Sequence, residues 1–490
     1  MNDPLDAVVI GAGHNGLVAA AYLARAGLSV EVIERRDVVG GACVTEELWP
    51  GVRASPGAYS LSLLRRKIID DLDLAAHGLH VDVHEPVSFA PLPDGRRLIC
   101  WSDVERTHAQ IETDWSRADA DAYVEWSDRW DAAATRARPL MLDAPQRDRW
   151  LAAVGPGILE GSIVDELAGI PSDEVKAALA MAGLIGELAG PHDPGTAFIA
   201  FYHDLGEATA EPGAWGYPRG GMGAVTEALA SAATAAGVLI QTQSGVERVL
   251  IEDGRATAVV LDDGREVRAR AILSNADPVR TAALAGVAPP KGWQQQSPVV
   301  KVMVLLDRLP AFPSWPDGDP WTGTTAVGFS LDDLTATADD ARAGRLPRTP
   351  FMEVACHSAT DPTLEAGGRH VASLFSQCFP ADVDASEAAE VVVARFGEIC
   401  PEFPDCIVDV LPLGPRELEE RFGLTGGHIF HGNMLPGQLF EDRPGPRRFG
   451  GVEGLYLAGS GAHPGGAVTG APGYLAAAAV LQDAATPAAL

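Results

Sequence analysis

The stretch Ala7-Val8-Val9-Ile10-Gly11-Ala12-Gly13-His14-Asn15-Gly16 decides how this chain begins to fold. Its first four residues are an unbroken apolar run, the pattern of a parallel strand covered on both faces. Gly-x-Gly-x-x-Gly follows at once, and from residue 14 to 26 Ala and Leu recur at helical spacing. Gly27 stands where a left-handed C-cap closes such a helix. Val30-Glu31-Val32-Ile33-Glu34 is then a second strand. Strand, helix, strand in so short a span predicts a βαβ unit with a right-handed crossover. In that setting Gly11 permits the tight turn, Gly13 lets backbone approach a pyrophosphate, and Gly16 lets helix pack closely on strand. The helix N-terminus offers unpaired N–H groups and positive potential to phosphates. Glu34 ends the second strand 18 residues beyond Gly16, placed to accept hydrogen bonds from ribose hydroxyls. The motif in its strand–turn–helix–strand context reads as a dinucleotide site, NAD or FAD, rather than as a bare glycine turn.

Outward from this unit, composition excludes several classes. At 490 residues the chain exceeds one ordinary core, so two interleaved or serial domains are expected. With 47% apolar and 21% charged residues it is neither disordered nor collagen-like. The net charge of −30 disfavours nucleic acid and anionic bilayer surfaces as partners. No apolar run reaches the roughly 18–20 residues of a membrane span. Met1–Asp6 lacks the basic and apolar regions of a signal peptide, which reads as a cytoplasmic chain. The six cysteines are scattered: Cys400 and Cys406 have five residues between them, matching no Cys-x-x-Cys motif, so free thiols and no metal site are expected.

Between about 100 and 214 the pattern is helical, with Trp101, Trp115, Trp126, Trp130 and Trp150 in a setting that reads as core, a lipophilic tunnel being the alternative. Strand character returns at 237–240 and 245–252, with turns at Gly254 and Asp263-Gly264. Val299–Leu306, Glu353–His357 and His370–Phe379 suggest a second sheet. Residues 311–350, rich in Pro, Gly, Asp and Thr, read as a long surface excursion. A strand at 454–459 and an Ala-rich helix at 470–483 close the chain.

Further glycine-rich segments carry a family resemblance. Gly40-Gly41-Ala42-Cys43-Val44-Thr45 resembles the second part of the dinucleotide signature of the FAD-dependent flavin amine oxidase and phytoene desaturase superfamily, with Ala42 where many members have Arg. Pro218–Gly223 followed by Gly245–Val249 is similar to the middle FAD segment of that family, and Tyr456–Gly466 to its C-terminal one, with Ser460 where Asp is common. His14-Asn15, Gly426–Asn433 and Ser460–Gly466 look closest to the phytoene desaturase-like branch, which includes proteins named for a pyridine nucleotide-disulfide oxidoreductase domain. A second Gly-x-Gly-x-x-Gly and a redox cysteine pair are both missing, so the disulfide reductase half of that label does not apply.

The resemblance implies an α/β fold: a Rossmann-like FAD-binding domain, split into 1–85, 215–290 and 411–490, with an inserted α+β substrate-binding domain of 86–214 and 291–410. It implies FAD held by Gly11, Gly13, His14, Asn15, Gly16, Glu34, Arg35, Gly40, Gly41, Ala42, Val246, Gly459, Ser460 and Val468. The implied activity is hydride transfer from a C–H of a small, apolar substrate to flavin N5, with oxygen or a quinone as acceptor in preference to NADP. The alternatives are an FAD-dependent isomerase without net redox, or a flavin-binding assembly protein. Lys301 is the candidate catalytic residue. It interrupts Val299–Leu306, where an unpaired ammonium is costly to bury, in a chain with only four lysines, and the run is similar to the strand that presents a lysine to N5 in flavin amine oxidases. The competing reading is an edge-strand lysine whose head reaches water. His431 is the second catalytic candidate; His428 and His463 lie in similar glycine-rich turns, where loop hydrogen bonding is the plainer role.

Overall fold

The computed structural model describes residues 3–364 and 366–485. The opening motif folds as its pattern dictates. Strand Leu5–Ile10 is buried over its last four residues, helix His14–Arg25 follows, Gly27 takes φ +90°, and strand Val30–Ile33 lies parallel to the first. Five strands contributed much later complete this sheet. Strand Glu266–Ser274 runs parallel to Leu5–Ile10 on one side, and Leu239–Gln241 runs parallel to Val30–Ile33 on the other. Leu455–Leu457 adds to Glu266–Ser274, whose first half also pairs with the antiparallel hairpin Val246–Glu252 and Arg255–Leu261. The hairpin turns sit at Gly254 and Gly264, both at positive φ. Helices His14–Arg25, Gly223–Ala235 and Ala471–Ala484 pack on this layer through Leu17, Leu23, Leu229 and Val480.

A second seven-stranded sheet has the order Ile407–Leu413, Val300–Leu306, His370–Ser376, Met352–Ala355, Thr324–Val327, Ser88–Pro91, Arg97–Cys100. All its pairings are antiparallel except that between Thr324–Val327 and Ser88–Pro91. Strand Ile407–Leu413 pairs along this sheet and runs across residues 410 and 411, where the sequence reading places a domain border. The helical stretch is present as Val104–Asp114, Arg117–Ala137, Arg147–Glu160, Asp173–Ala180 and Thr196–His203, among shorter turns.

Residues 311–350 depart from the expected surface excursion. Phe312 and Trp321 are buried against Phe396, strand Thr324–Val327 lies inside the second sheet, and helix Leu331–Arg342 buries Leu334 and Ala338. The density of Pro, Gly and Asp reflects the turns that join these short elements; the aromatic residues between them supply the burial. Among the described residues no helix is long and apolar enough to cross a membrane, and no group of three His, Cys, Asp or Glu is placed to hold a metal ion. All six cysteines are free, and five of them are buried.

Candidate functional site

A cavity of about 610 Å³ runs from the C-terminal edge of the first sheet to one face of the second. This is where open parallel sheets place ligands, because the strand-to-helix turns diverge there. At this end the wall is mostly backbone. Gly11 has φ +91° and donates its N–H to Ile33 O at 2.8 Å, which draws the loop tightly across the strand ends. Helix His14–Arg25 starts at Gly13 with no side-chain cap and no acidic residue in its first turn, so among the described residues no carboxylate caps its free N–H groups. Glu34 is 6% exposed; its Oε2 accepts from Ala12 N at 2.8 Å and its Oε1 from Arg36 N at 2.9 Å. Held this way, the carboxylate faces the cavity in one orientation and retains lone pairs for a vicinal diol.

Gly40 and Gly41 close over the same turn. Gly40 N donates to Ala12 O at 2.9 Å, and both glycines have positive φ. Where Ala42 leaves the expected arginine out, Arg36 reaches the same wall, ion-paired with Glu46 and donating to Gly41 O at 3.5 Å. Arg35 lies at the outer mouth, donating to Arg421 O at 3.3 Å. Of the residues expected at a cofactor, Gly11, Gly13, His14, Glu34, Arg35, Gly40, Gly41, Ala42, Val246, Ser460 and Val468 line the cavity. Asn15, Gly16 and Gly459 stand behind it. Asn15 donates to Ser460 Oγ at 3.2 Å and steadies that residue, while a Cβ on Gly16 would meet Gly11 O at 2.3 Å and one on Gly459 would meet Asn275 O at 2.5 Å. Their role is close packing. Asn275, which also lines the cavity, follows Glu266–Ser274 and has no glycine signature to announce it.

Lys301 does not snorkel. Its strand lies between two others, not at an edge, and the residue is 1% exposed. Its Nζ donates to Gly57 O and sits 4.8 Å from the centroid of the Tyr59 ring and 5.9 Å from that of Phe375. Cross-strand register puts Lys301, Phe375 and Glu353 side by side on one face of the sheet. Tyr59 donates its hydroxyl to Glu353, and burial raises the Glu353 carboxyl above its ordinary range. Burial also lowers the Lys301 ammonium to about 7, so neutral and charged forms are both accessible near neutral pH.

The histidines separate. His428 is fully buried; its Nδ1 accepts from Phe430 N at 3.2 Å, and its Nε2 therefore donates to Asn433 Oδ1 at 3.1 Å, which makes it a loop brace. His431 has φ +58°, lines the cavity, and has no hydrogen-bond partner at Nδ1 among the described residues; burial lowers its pKa. His14, also on the cavity wall, is lowered to about 4 by burial and by the nearby His431. His463 is 1% exposed and does not reach the cavity. Arg443, fully buried, braces the floor by donating to the backbone carbonyls of Phe430, Gly432, Asn433, Gln438, Ser460 and Ala462.

Beyond Lys301 the cavity becomes an apolar chamber walled by Leu63, Ile185, Val299, Phe375, Ile429 and Phe430. The five tryptophans of 101–150 do not line it: Trp130 and Trp150 are buried, and Trp101, Trp115 and Trp126 pack partly buried against the cores. Trp215 lines it instead, together with Tyr59 and His203, and no spacing rule marks these three in the sequence.

The model of the flavin containing amine oxidoreductase family matches residues 16–481. The chain belongs to this family. Its members carry a flavin, and the cofactor is FAD. Among relatives, pyridine nucleotide-disulfide oxidoreductase domain-containing protein 2 of Rattus norvegicus is 38% identical, covering 98% of this chain and 93% of its own. Hydroxyneurosporene desaturase of Rhodobacter capsulatus is 27% identical over 99% of both chains. In fold, the structure of putrescine oxidase bound to putrescine matches with a TM-score of 0.65 at 17% identity, covering 99% of each chain. The family groups amine oxidase-type and desaturase-type flavin oxidoreductases, and this chain is one of them.

Proposed function

We propose that this protein is an FAD-dependent dehydrogenase or desaturase that removes a hydride from a C–H of a small, mainly apolar substrate. FAD supplies the hydride acceptor at N5 when bound. The chain's residues fit the cofactor. Glu34 would accept from the adenosine ribose, the uncapped N-terminus of helix His14–Arg25 would meet the pyrophosphate, and Gly11 and Gly13, which both line the cavity without a Cβ, would let it approach the backbone. The first sheet's segments thus serve as the cofactor domain, and the second sheet with the helical segment as the substrate domain.

The observation that carries the reading is Lys301 at the junction between the glycine-built end and the apolar chamber. Tyr59 and Phe375 shield its Nζ from water, so its proton is held at one place and exchanges with whatever enters there. Removing a hydride from one carbon and a proton from its neighbour leaves C=C, or C=N where the neighbour is nitrogen, and a lysine near neutrality can take that proton. The apolar chamber favours an uncharged substrate over a protonated amine, since among the described residues it offers no carboxylate to an ammonium group. Oxygen or a quinone serves as the acceptor, because the one dinucleotide fingerprint is taken by FAD. The test is anaerobic mixing of FAD-loaded protein with a panel of apolar alkenes and alcohols. Bleaching of the oxidised flavin band near ~450 nm supports net oxidation. Turnover that requires pre-reduced flavin and leaves no net redox change points to an isomerase, and spectral indifference to the whole panel to a binding protein.

A further inference from the structure

Among the polar groups on the cavity wall, His203 is one whose proton placement the fold dictates. His203 ends helix Thr196–His203, an otherwise apolar segment, and is 5% exposed. Its Nδ1 lies 2.7 Å from Ile199 O, one helical turn back. A carbonyl only accepts, so the proton resides on Nδ1 and Nε2 carries a lone pair. Burial holds the ring at about 4, which keeps it neutral. Nε2 has no hydrogen-bond partner among the described residues, and the ring lines the cavity between Trp215, stacked at 6.1 Å and 17°, and Phe430 at 6.0 Å. An acceptor fixed in an apolar wall selects for a donor.

We propose that His203 is the polar anchor of the chamber, its Nε2 accepting a hydrogen bond from a hydroxyl group on an otherwise apolar substrate. This rests on the reading of the chamber as the substrate site of a flavin oxidoreductase. Charge decides for a hydroxyl over an ammonium. The carboxylates on the cavity wall, among the described residues, are Glu34, Glu419 and Glu420. Glu34 is held by two backbone N–H groups, and Glu419 and Glu420 lie on the helix Pro415–Phe422 beside Arg35, at the cofactor mouth. The chamber itself presents Lys301, which opposes a second cation.

Titration calorimetry with 1-octanol, its isomer heptyl methyl ether and octylamine tests this. The alcohol and the ether have the same size, and only the alcohol donates. FAD-loaded wild type is expected to bind 1-octanol about 5–100-fold more tightly than the ether, the range for a buried acceptor gaining or lacking its partner. Octylamine is expected to bind no better than the ether. His203→Phe should bring alcohol and ether to equal affinity with FAD content unchanged, while His203→Gln, which keeps an acceptor, should retain part of the preference. Equal binding of alcohol and ether by wild type, or a preference that survives in His203→Phe, overturns the proposal; so does octylamine as the tightest ligand. If His203→Phe fails to fold, equal binding of alcohol and ether by wild type still overturns the proposal, and an undiminished preference in His203→Leu overturns it as well. Calorimetry reads ligand with or without FAD, so a protein that cannot load FAD breaks the oxidoreductase reading while the octanol–ether comparison still judges His203.

Discussion

The two ends of the cavity are built from different materials. At the first sheet the wall is peptide backbone, shaped by glycines within the first 41 residues and by the turns at 245 and 460; at the second sheet it is side chains from segments as far apart as Tyr59, His203, Lys301 and Phe375. Backbone recognition needs residues without Cβ at fixed offsets, and those offsets survive as a motif. A side-chain pocket needs only that distant residues meet, and its composition can vary while its shape stays apolar. The glycine-built end is therefore written locally, and the side-chain end is distributed across the fold.

The sharpest way to break this contrast is Lys301→Met. It keeps much of the length and apolar volume, so FAD content should be unchanged while flavin reoxidation by oxygen slows about 10²–10⁴-fold, if proton movement at Lys301 limits that step. Stopped-flow rates equal to wild type would reduce Lys301 to a packing residue. The same variant has a stability signature. Burial depresses the Lys301 pKa from 10.5 to about 7, so between those values the unfolded chain binds the proton that the folded chain releases. Wild type accordingly gains stability relative to Lys301→Met as pH rises from about 7 to 10.5. The variant should be more stable by ~2–4 kcal/mol near pH 6, with the gap closing by pH 10, once the cation–π contact with Tyr59 is discounted from the full shift. Parallel melting curves for the two proteins across that range would contradict a buried, depressed lysine.

At the other end, Glu34→Ala should weaken FAD by roughly 1.5–3 kcal/mol, the scale of a hydrogen bond to a charged group, and leave the rates of fully loaded enzyme nearly unchanged. Fluorescence titration of apoprotein measures it, and wild-type affinity would mean that the ribose is gripped elsewhere. The smallest effect is expected from Trp150→Phe. Trp150 packs on Phe198 and Phe440 away from the cavity, so a stability loss of about 0.5–1.5 kcal/mol in chemical denaturation should come with unaltered FAD affinity and ligand binding. A change in ligand binding would return the tryptophans to the tunnel reading.

What could be read in advance follows the same division. The βαβ unit, the hairpins at Gly254 and Gly264 and the glycine turns of the first cavity wall were legible because period and turn chemistry are local. Lys301 was legible as an anomaly in an apolar run, yet its central strand position needed the pairing with His370–Ser376 and Ile407–Leu413 to be seen. The 311–350 segment misled because its turn residues outnumber the buried Phe312 and Trp321 that determine its place. His203 was hidden for another reason: one histidine at the end of an apolar helix carries no pattern, and only the bond to Ile199 O gives its free nitrogen a meaning.

Arg443 has a mechanical consequence. Between helix Pro415–Phe422 and strand Leu455–Leu457 the described chain forms three short 3-10 turns and a single bridge from Glu453 to Arg255, a stretch that would ordinarily open piecemeal. One guanidinium bonded to six carbonyls from Phe430 to Ala462 ties that stretch into a single unit. The loop bearing His431 and the turn bearing Ser460 are thus expected to exchange their amide hydrogens together, as one cooperative block. Lysine, a point charge with three donors, has no fork with which to span those carbonyls. The floor of the cavity is in effect a keystone arch, in which the rigidity usually supplied by a helix comes from one side chain.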